Sequence, residues 1–470
     1  MTRRSNSTMP AFVCLLIASI PVCAAQPAPA TFGPPATIDA TSATCVAEHH
    51  LLSHGVADAF SLSDMQTIRT SPTDAPLCYC FNLEPLGYVV VCADTALPPV
   101  IAYSFTSPAL GDLTSGTPLA DLLTWDLQQR RTHADQLSQA TVRATHTAWN
   151  VALSASPATD NRLFEQWPPA GSTPSEGWTT TTWNQGAPYN ALCPMDTVAG
   201  ARSIAGCPAV AMAQIVNYNA RLNDTHFDDS DDYYHNYGGN RYWIDDAYLA
   251  RSFPSFPQLN THLDTLFEDY FYGSSPSSTR VAALIFACGV AARQVYTASA
   301  AGTFGVDQAF DAYQKFGCDT AELLTDGDAD IYERVAQNMK DAHPAHLAIV
   351  NSTWTSGHNV VLDGYNTNDY YHVNFGWGGA YNGWYRIPSG LPYSLTVLEG
   401  VIVDIMPTPC APHDATGDGL VNWQDFTYYH DCLSGPAGPY TPPGCAPFDS
   451  DGDTDVDLHD FSAFQAAFVG

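Results

Sequence analysis

The sequence predicts a mixed α+β protein built from several domains. An apolar run at 207–216 has the length and composition of a buried helix, whereas the runs at 78–94 and 358–375 read as strands separated by short turns. Two acidic, regularly spaced loops lie at the end of the chain. At 470 residues the chain is too long for one hydrophobic core, so we expect two to four domains.

Residues 1–25 have the pattern of a secretory signal. Arg3 and Arg4 form a basic start, residues 11–20 an apolar run too short to span a bilayer, and residues 22–25 a small-residue exit. Seventeen Lys and Arg against 48 Asp and Glu give a formal charge of −31, which repels nucleic acid and anionic lipid. We expect a secreted or cell-surface bacterial protein, extracellular or periplasmic, without a nucleic-acid partner or a membrane span.

Residues 26–160 are expected to form a separate α+β unit. Residues 78–83 and 87–94 read as a hairpin, and residues 98–104 as a further strand. Cys78 and Cys80 would point to one face of the first strand, so each would need a disulfide partner elsewhere. The Pro/Ser/Gly-rich stretch at 168–176 is predicted to be exposed and open to proteolysis.

Cys207 lies at the start of the buried helix. Pro208 suits the first helical position, which makes Cys207 the predicted N-cap. The free N–H groups and the positive end of the helix dipole favour a thiolate there, and the thiolate is the nucleophilic form of cysteine. Inert cysteines in such places are common, so Cys207 alone does not establish catalysis.

Two later stretches strengthen the catalytic interpretation. His358 begins an apolar strand, and Asn374 ends the next strand before a glycine-rich turn. A cysteine on a helix that faces a histidine and an asparagine on adjacent strands is the arrangement of papain-like hydrolysis. The remaining isolated histidines, His346 among them, are interpreted as surface or structural residues.

These pieces resemble the streptopain family of papain-fold cysteine proteases. The shared motifs are W-N-Q-G-A-P-Y-N at 183–190, G-C-P-A-V-A-M-A-Q at 206–214, the apolar helix at 281–290, G-H-N-V-V-L-D-G at 357–364 and V-N-F-G-W-G-G at 373–379. The resemblance implies a papain-like fold of two subdomains, one helical and one antiparallel β, over residues 161–407. It also implies that residues 26–160 are an inhibitory pro-domain; the alternative is an accessory domain that stays attached.

The same resemblance assigns roles to individual residues. Cys207 would be the nucleophile, His358 the base, Asn374 the residue that orients the base, and Gln185 the side-chain donor to the oxyanion. Three further residues would belong to the substrate cleft: Phe375, Trp377 and Ser299. Phe375 departs from the family pattern, which has Trp at that position.

Residues 408–470 resemble a dockerin-type module, small and helical, with paired calcium loops. Oxygen ligands at positions 1, 3, 5, 7, 9 and 12 of a twelve-residue loop can surround a calcium ion, and two such loops occur here. Thr454 stands where position 6 is usually glycine. We expect calcium binding and a cohesin-like or surface partner, and Cys432 and Cys445 between the loops could form a disulfide. The predicted ligands are Asp414, Thr416, Asp418, Leu420, Asn422, Asp425, Asp449, Asp451, Asp453, Asp455, Asp457 and Asp460.

Together these features predict a secreted cysteine endopeptidase that acts on protein or peptide substrates and is made as a zymogen. One alternative is a catalytically weak papain-fold protein that serves calcium-dependent adhesion or docking. Another is an amidase of cell-wall peptides on the same scaffold. The intact set of catalytic residues argues against the first alternative, and the W-N-Q-G run argues against the second.

Overall fold

A computed structural model describes residues 36–154, 164–325, 327–351, 353–387, 397–436 and 438–469. The predicted signal at 1–25 therefore lies outside the described residues. The predicted mixed α+β class is confirmed. No helix within the described ranges combines the length and the apolar character needed to cross a bilayer.

The N-terminal domain places helices against an antiparallel sheet. β3 is buried along its whole length, so both of its faces are covered. The hairpin expected at 78–94 is formed by β2 and β3, with Cys78 opposite Cys92. The elements are α1 (Ala40–Ser53), β1 (Ser61–Ile68), β2 (Cys78–Glu84), β3 (Tyr88–Cys92), β4 (Val100–Ser104), α2 (Pro118–His133) and α3 (Gln139–Ala152).

The helical part of the central domain surrounds one buried helix. In α4, every residue from Pro208 to Val216 is buried, mainly against α7 and strand β12 of the β part (described next). The elements of this part, with a short preceding strand, are β5 (Gln166–Trp167), β6 (Met195–Asp196), β7 (Ala201–Arg202), α4 (Cys207–Asn219), β8 (Tyr233–Tyr237), β9 (Asn240–Ile244), α5 (Tyr248–Arg251), α6 (Phe256–Phe271), α7 (Ser278–Ala291) and α8 (Val306–Lys315).

The β part follows, and its strands continue the sheet of the N-terminal domain. Its elements are β10 (Glu322–Leu324), α9 (Ile331–Lys340), β11 (Ala345–Val350), β12 (Gly357–Asn366), β13 (Tyr370–Asn374), β14 (Gly383–Arg386) and β15 (Val397–Val403). The strand order is β1-β2-β3-β4-β14-β13-β12-β11-β15-β10, and β5 pairs with β12. The sequence does not predict this continuity between the two domains.

The seam between the domains is the antiparallel pair of β4 and β14. Trp384 lies opposite Tyr103, and both side chains are buried. The Tyr88 hydroxyl donates to the Tyr381 carbonyl at 2.8 Å and also lies 2.9 Å from the Tyr385 hydroxyl. The two domains therefore share one core as well as one sheet.

The C-terminal residues form two helices, each preceded by an acidic loop. These helices are α10 (Trp423–Cys432) and α11 (Leu458–Ala467), with a 3-10 turn at Pro443–Phe448 between them. The expected disulfide between Cys432 and Cys445 is confirmed. This small core packs against the end of α6, where the Phe271 ring lies 4.7 Å from that of Tyr428.

Most cysteines among the described residues are free thiols, whereas Cys45, Cys432 and Cys445 are disulfide-bonded. Cys78 and Cys80, which were expected to have disulfide partners, are buried apolar residues of the sheet. The free cysteines among the described residues are Cys78, Cys80, Cys92, Cys193, Cys207, Cys288, Cys318 and Cys410.

Candidate active site

Cys207 is the first residue of α4, and Gly206 is the N-cap, so the prediction that Cys207 caps the helix is wrong by one position. Gly206 has φ +86°, and a Cβ at this position would collide with the Gln294 side chain. Its carbonyl accepts the first helical hydrogen bond, from Val210 N at 3.1 Å. Only glycine accommodates both the positive φ and the close approach of Gln294. Gly206 therefore places the thiol of Cys207 in the first turn of α4.

His358 is held on its Nε2 side by the main chain. Its Nε2 lies 2.8 Å from the carbonyl oxygen of Phe375. Because a carbonyl can only accept, Nε2 carries the proton of the neutral ring and Nδ1 keeps the free lone pair. Nδ1 is therefore the basic nitrogen of His358.

Trp377 covers the face of the same ring. Its indole stacks on His358 with ring centroids 4.5 Å apart and planes 19° apart. Phe375 lies beneath, 5.0 Å from Trp377, and is fully buried. Phe375 therefore supports the aromatic stack, and in this structure its side chain has no exposed surface, so its assignment to the substrate cleft stays a prediction. Trp377 thus covers His358 although position 375 carries Phe and not the Trp of the family pattern.

Asn374 does not orient His358 in this structure. It is buried, and its Nδ2 donates to the Thr181 carbonyl at 2.8 Å and to Gln214 Oε1 at 3.1 Å. Its Oδ1 accepts from Gly376 N at 3.1 Å. These bonds tie the glycine-rich turn to α4, and among the described residues the partner of His358 is the Phe375 carbonyl. A main-chain carbonyl can take the orienting role because it requires no particular side chain.

The thiol and the imidazole are both in their neutral forms in this arrangement. Burial raises the pKa of Cys207, partly offset by hydrogen bonds from Asn359, and burial lowers the pKa of His358 to about 4. Within the described part of the chain the sulfur is hydrogen-bonded to Asn359 Nδ2, at 3.9 Å, and not to His358. Burial therefore outweighs the helix-dipole effect that favours a thiolate.

Two further predicted residues border the same region. The Gln185 carbonyl accepts from Ala205 N at 2.8 Å, which places Gln185 beside the segment leading to Cys207. Ser299 is exposed, in a loop whose Gly302 lies 3.9 Å from Pro208, measured from the position of an added Cβ. Both positions fit a cleft at the start of α4.

The N-terminal domain touches the turn that carries Trp377. Ser107 Oγ donates to the Gly379 carbonyl at 3.3 Å, and Tyr88 reaches Tyr381 as described above. The N-terminal domain therefore contacts the segment that holds His358 in place.

The C-terminal loops bring carboxylates together. There are three groups of three aspartates, and within each group one carboxylate oxygen per residue lies within 4.8 Å of the others. The groups are Asp414 with Asp418 and Asp425, Asp449 with Asp451 and Asp453, and Asp455 with Asp457 and Asp460. Thr454 has φ +75°, close to the +83° of Gly419 at the equivalent position, so the two loops share a backbone shape. The donor set, all oxygen, fits calcium.

Asp425 and Asp460 also have structural partners. Asp425 accepts from the main-chain N–H groups of Ala415 and Asn422, at 2.9 Å each. Asp460 accepts from Ser450 at 2.7 Å and from Asp457 at 2.8 Å. Both carboxylates therefore form capping boxes at the start of the helix that follows and hydrogen-bond across the loop.

Comparison with known proteins agrees with this geometry. Residues 183–385 match the Peptidase C10 family, and residues 35–129 match the Spi protease inhibitor family. Streptopain from Streptococcus pyogenes is 24% identical over 339 residues, which is 67% of this chain and 75% of streptopain. The chain is a cysteine endopeptidase.

Solved structures of similar proteins come from Prevotella intermedia. A prointerpain A fragment is 20% identical with a TM-score of 0.49 and covers 74% of this chain and 100% of its own. The active interpain A cysteine protease is 25% identical with a TM-score of 0.36 and covers 49% of this chain and 94% of its own. The match of residues 35–129 to the Spi protease inhibitor family, ahead of the Peptidase C10 match, shows a zymogen-type propeptide in front of the catalytic domain. Protein substrates follow from the endopeptidase class.

One residue near the thiol was missed. Asn359 stands inside the recognised motif at 357–364, yet sequence alone gives no reason to separate it from its apolar neighbours. His346, interpreted as surface or structural, is fully buried and 2.7 Å from Asn359 Oδ1. The signal that connects them is the pairing of β11 with β12, which the sequence does not provide.

Proposed function

We propose that this endopeptidase cleaves peptide bonds with Cys207 as nucleophile and His358 as general base. His358 Nδ1 takes the thiol proton, and the sulfur attacks the carbonyl carbon of the scissile bond. The Cys207 N–H and the Gln185 side chain donate to the oxyanion, and the imidazolium then protonates the leaving amine as the C–N bond breaks. Water hydrolyses the resulting thioester, with His358 again as base.

The observation that supports this most strongly is the fixation of His358. The Phe375 carbonyl holds Nε2 and Trp377 covers one face, which leaves Nδ1 as the basic atom. The next residue in the strand, Asn359, contacts the Cys207 sulfur, so base and nucleophile belong to one site. A fixed ring with a defined tautomer is what proton transfer requires.

Substitution of the nucleophile tests the proposal. Cys207→Ala should abolish hydrolysis of a casein substrate and remove covalent labelling by a thiol alkylator, while the melting temperature stays near that of the wild type. Cys410→Ala is the matched control, because Cys410 is also free and half-exposed but lies outside the cleft. Hydrolysis retained by Cys207→Ala would exclude the mechanism.

We further propose that residues 1–25 direct secretion and that the full chain is latent. The neutral thiol and imidazole, together with the propeptide contacts to the Trp377 turn, support a resting form. Wild-type protein expressed with residues 1–25 should appear outside the cytoplasm, and deletion of this segment should retain it inside. Equal export of both forms would refute the signal assignment.

We also propose that the C-terminal loops bind calcium in a structural role. The all-oxygen clusters at the two loops support it, and calcium would neutralise carboxylates that otherwise repel one another. The exposed Trp423, Leu420 and Leu458 of this module are where a cohesin-like or other surface partner would bind. Calcium has no step in peptide hydrolysis under this proposal, since the three carboxylate clusters found in the described part of the chain all lie in the C-terminal module.

A further inference from the structure

A chain of hydrogen-bonded polar side chains, two of them fully buried and Asn359 half-buried, ends on the sulfur of Cys207. The Tyr313 hydroxyl lies 3.1 Å from His346 Nδ1, and His346 Nε2 lies 2.7 Å from Asn359 Oδ1. Asn359 Nδ2 in turn lies 3.9 Å from Cys207 Sγ. Tyr313 and His346 are both fully buried, so these bonds form in a medium of low polarity.

The hydrogen bonds of this chain all point in one direction. Burial lowers the pKa of His346 to about 4, so its ring is neutral near pH 7. Asn359 Oδ1 can only accept, which requires the proton on His346 Nε2 and leaves Nδ1 as acceptor. The Tyr313 hydroxyl therefore donates to Nδ1, and the Asn359 amide is left with its NH₂ group directed at the sulfur.

His358 and Asn359 are neighbours in β12, so their side chains lie on opposite faces of the sheet although both border the site. Successive side chains of a strand alternate between the two faces of a sheet. Val360 belongs to the core shared with the N-terminal domain, and Val361 to the core around α4. His358 accordingly packs with the aromatic stack, whereas Asn359 points to the start of α4.

A chain of donors that ends on the Cys207 sulfur favours the form of the sulfur that accepts hydrogen bonds more strongly. A thiol sulfur accepts hydrogen bonds weakly, whereas a thiolate is a charged acceptor, and hydrogen bonds to charged groups are the stronger ones. Directed donors on the sulfur therefore stabilise the charged form more than the neutral form.

We propose that Asn359 is a catalytic residue that stabilises the thiolate of Cys207, and that His346 and Tyr313 are positioning residues that fix its amide. The inference rests on the proposed role of Cys207 as nucleophile. It adds a donor that acts on the nucleophile itself, apart from the base and the oxyanion donors.

The charges around the thiol are consistent with this role. Burial is the main cause that raises the pKa of Cys207, and hydrogen bonds from the main chain and side chain of Asn359 lower it. Glu399 on β15 raises it further. Within the described ranges, the other titratable groups facing the site are His358 and His346, both neutral, and Tyr313, whose pKa burial raises well above its usual value.

The test measures the thiol pKa directly. Each variant is activated with immobilised wild-type enzyme, alkylated with iodoacetamide across a range of pH, and the rate at the Cys207 peptide is followed by mass spectrometry. Asn359→Ala should raise the measured thiol pKa by about 1, since a hydrogen bond to a charged group is lost. Its kcat/KM should fall roughly tenfold at pH values below the thiol pKa and recover at higher pH.

Further variants separate this role from packing. Asn359→Asp keeps the shape but adds a negative charge, so it should raise the thiol pKa more than Asn359→Ala. Tyr313→Phe removes one oxygen and keeps the ring, so it should fold and show a smaller rise. Asn338→Ala is the control, because Asn338 is a buried amide on α9 that donates to Asp404 Oδ1 at 2.9 Å, away from the thiol.

The outcomes distinguish the two proposals. An unchanged thiol pKa in Asn359→Ala and Tyr313→Phe, with only a lower melting temperature, would show that these residues merely pack the core. If Asn359→Ala does not fold, the pKa in Tyr313→Phe decides. Activity in Cys207→Ala would instead refute the proposed function, whatever the alkylation rates show.

Discussion

Gly383 offers a way to weaken the seam between propeptide and catalytic domain by one methyl group. It lies in β14, and a Cβ at this position would be 2.6 Å from the Tyr103 carbonyl oxygen and 2.6 Å from the Tyr88 hydroxyl. The next nearest atom, Ser104 Cβ, is 2.8 Å away and also belongs to the propeptide domain. Gly383→Ala therefore clashes with the propeptide, while alanine suits the extended backbone of β14.

The cost of the clash can be worked from these contacts. Two of the three close atoms are main-chain or Cβ atoms that cannot rotate away, so the β4–β14 pair must separate. Overpacking of this kind costs about 1–3 kcal/mol. Loss of the Tyr88 hydrogen bond to the Tyr381 carbonyl adds about 1 kcal/mol. A total of about 2–4 kcal/mol shifts the docking equilibrium of the propeptide by roughly 30- to 1000-fold.

The assay is peptide hydrolysis by freshly purified full-length chain, followed with time beside gel analysis of processing. Gly383→Ala should show activity from the start and shorten faster than the wild type. After complete activation, both enzymes should have the same kcat/KM. Gly111→Ala is the matched control, because its added Cβ has no atom within 4 Å and its backbone needs no positive φ.

Two results would refute the reasoning. A Gly383→Ala zymogen that is as latent as the wild type and is processed at the same rate would show that the seam does not maintain latency. A mature Gly383→Ala enzyme with reduced activity would show that the glycine serves the catalytic domain itself.

Three further predictions concern stability, the base and the metal loops. Burial lowers the pKa of His346 to about 4, so stability present above pH 6.5 is lost as pH falls towards 4, by about 3 kcal/mol for this group. In urea unfolding, the free energy of unfolding should fall less on acidification for His346→Gln than for the wild type. Equal falls would contradict a buried neutral ring. Trp377→Ala should lower kcat/KM roughly tenfold by exposing His358 to water, with little change in KM, and unchanged kinetics would exclude its covering role. Asp414→Ala with Asp449→Ala should abolish the rise in protease resistance of the C-terminal module on adding calcium, with hydrolysis unaffected; an equal rise in the double variant would exclude these ligands.

The parts predicted from sequence are those that depend on local pattern. The helix after Cys207, the hairpin at 78–94 and the disulfide between Cys432 and Cys445 each follow from residues close together in the chain. Cys207 and His358 could be predicted as nucleophile and base because the motifs specify their neighbours as well as the two residues themselves. Local spacing was sufficient for all of these.

The sequence was insufficient where a contact is made by a main-chain atom or depends on the pairing of strands that are distant in the chain. His358 is hydrogen-bonded to the main-chain carbonyl of Phe375. Every residue type has such a carbonyl, so the sequence cannot indicate this bond, and the orienting role was assigned to Asn374 by resemblance. His346 and Asn359 meet because β11 and β12 pair with Ala348 opposite Asn359, a register that no motif records. The free Cys78 and Cys80 show that cysteine count alone overstates the number of bridges when apolar strands can bury the thiols.

The sheet that runs through both domains has a consequence for the activated enzyme. Cleavage in the segment that links the domains cuts no hydrogen bond of the β4–β14 pair, so the two pieces remain associated after the cut. Departure of the propeptide would turn β14 into an edge strand with unpaired N–H and C=O groups, beside Trp384 and Tyr385, both now buried. Such an edge accepts another extended strand, so an extended segment of another protein could rebind where the propeptide left. Activation is therefore a dissociation as well as a cleavage, and its rate depends on what competes for that edge.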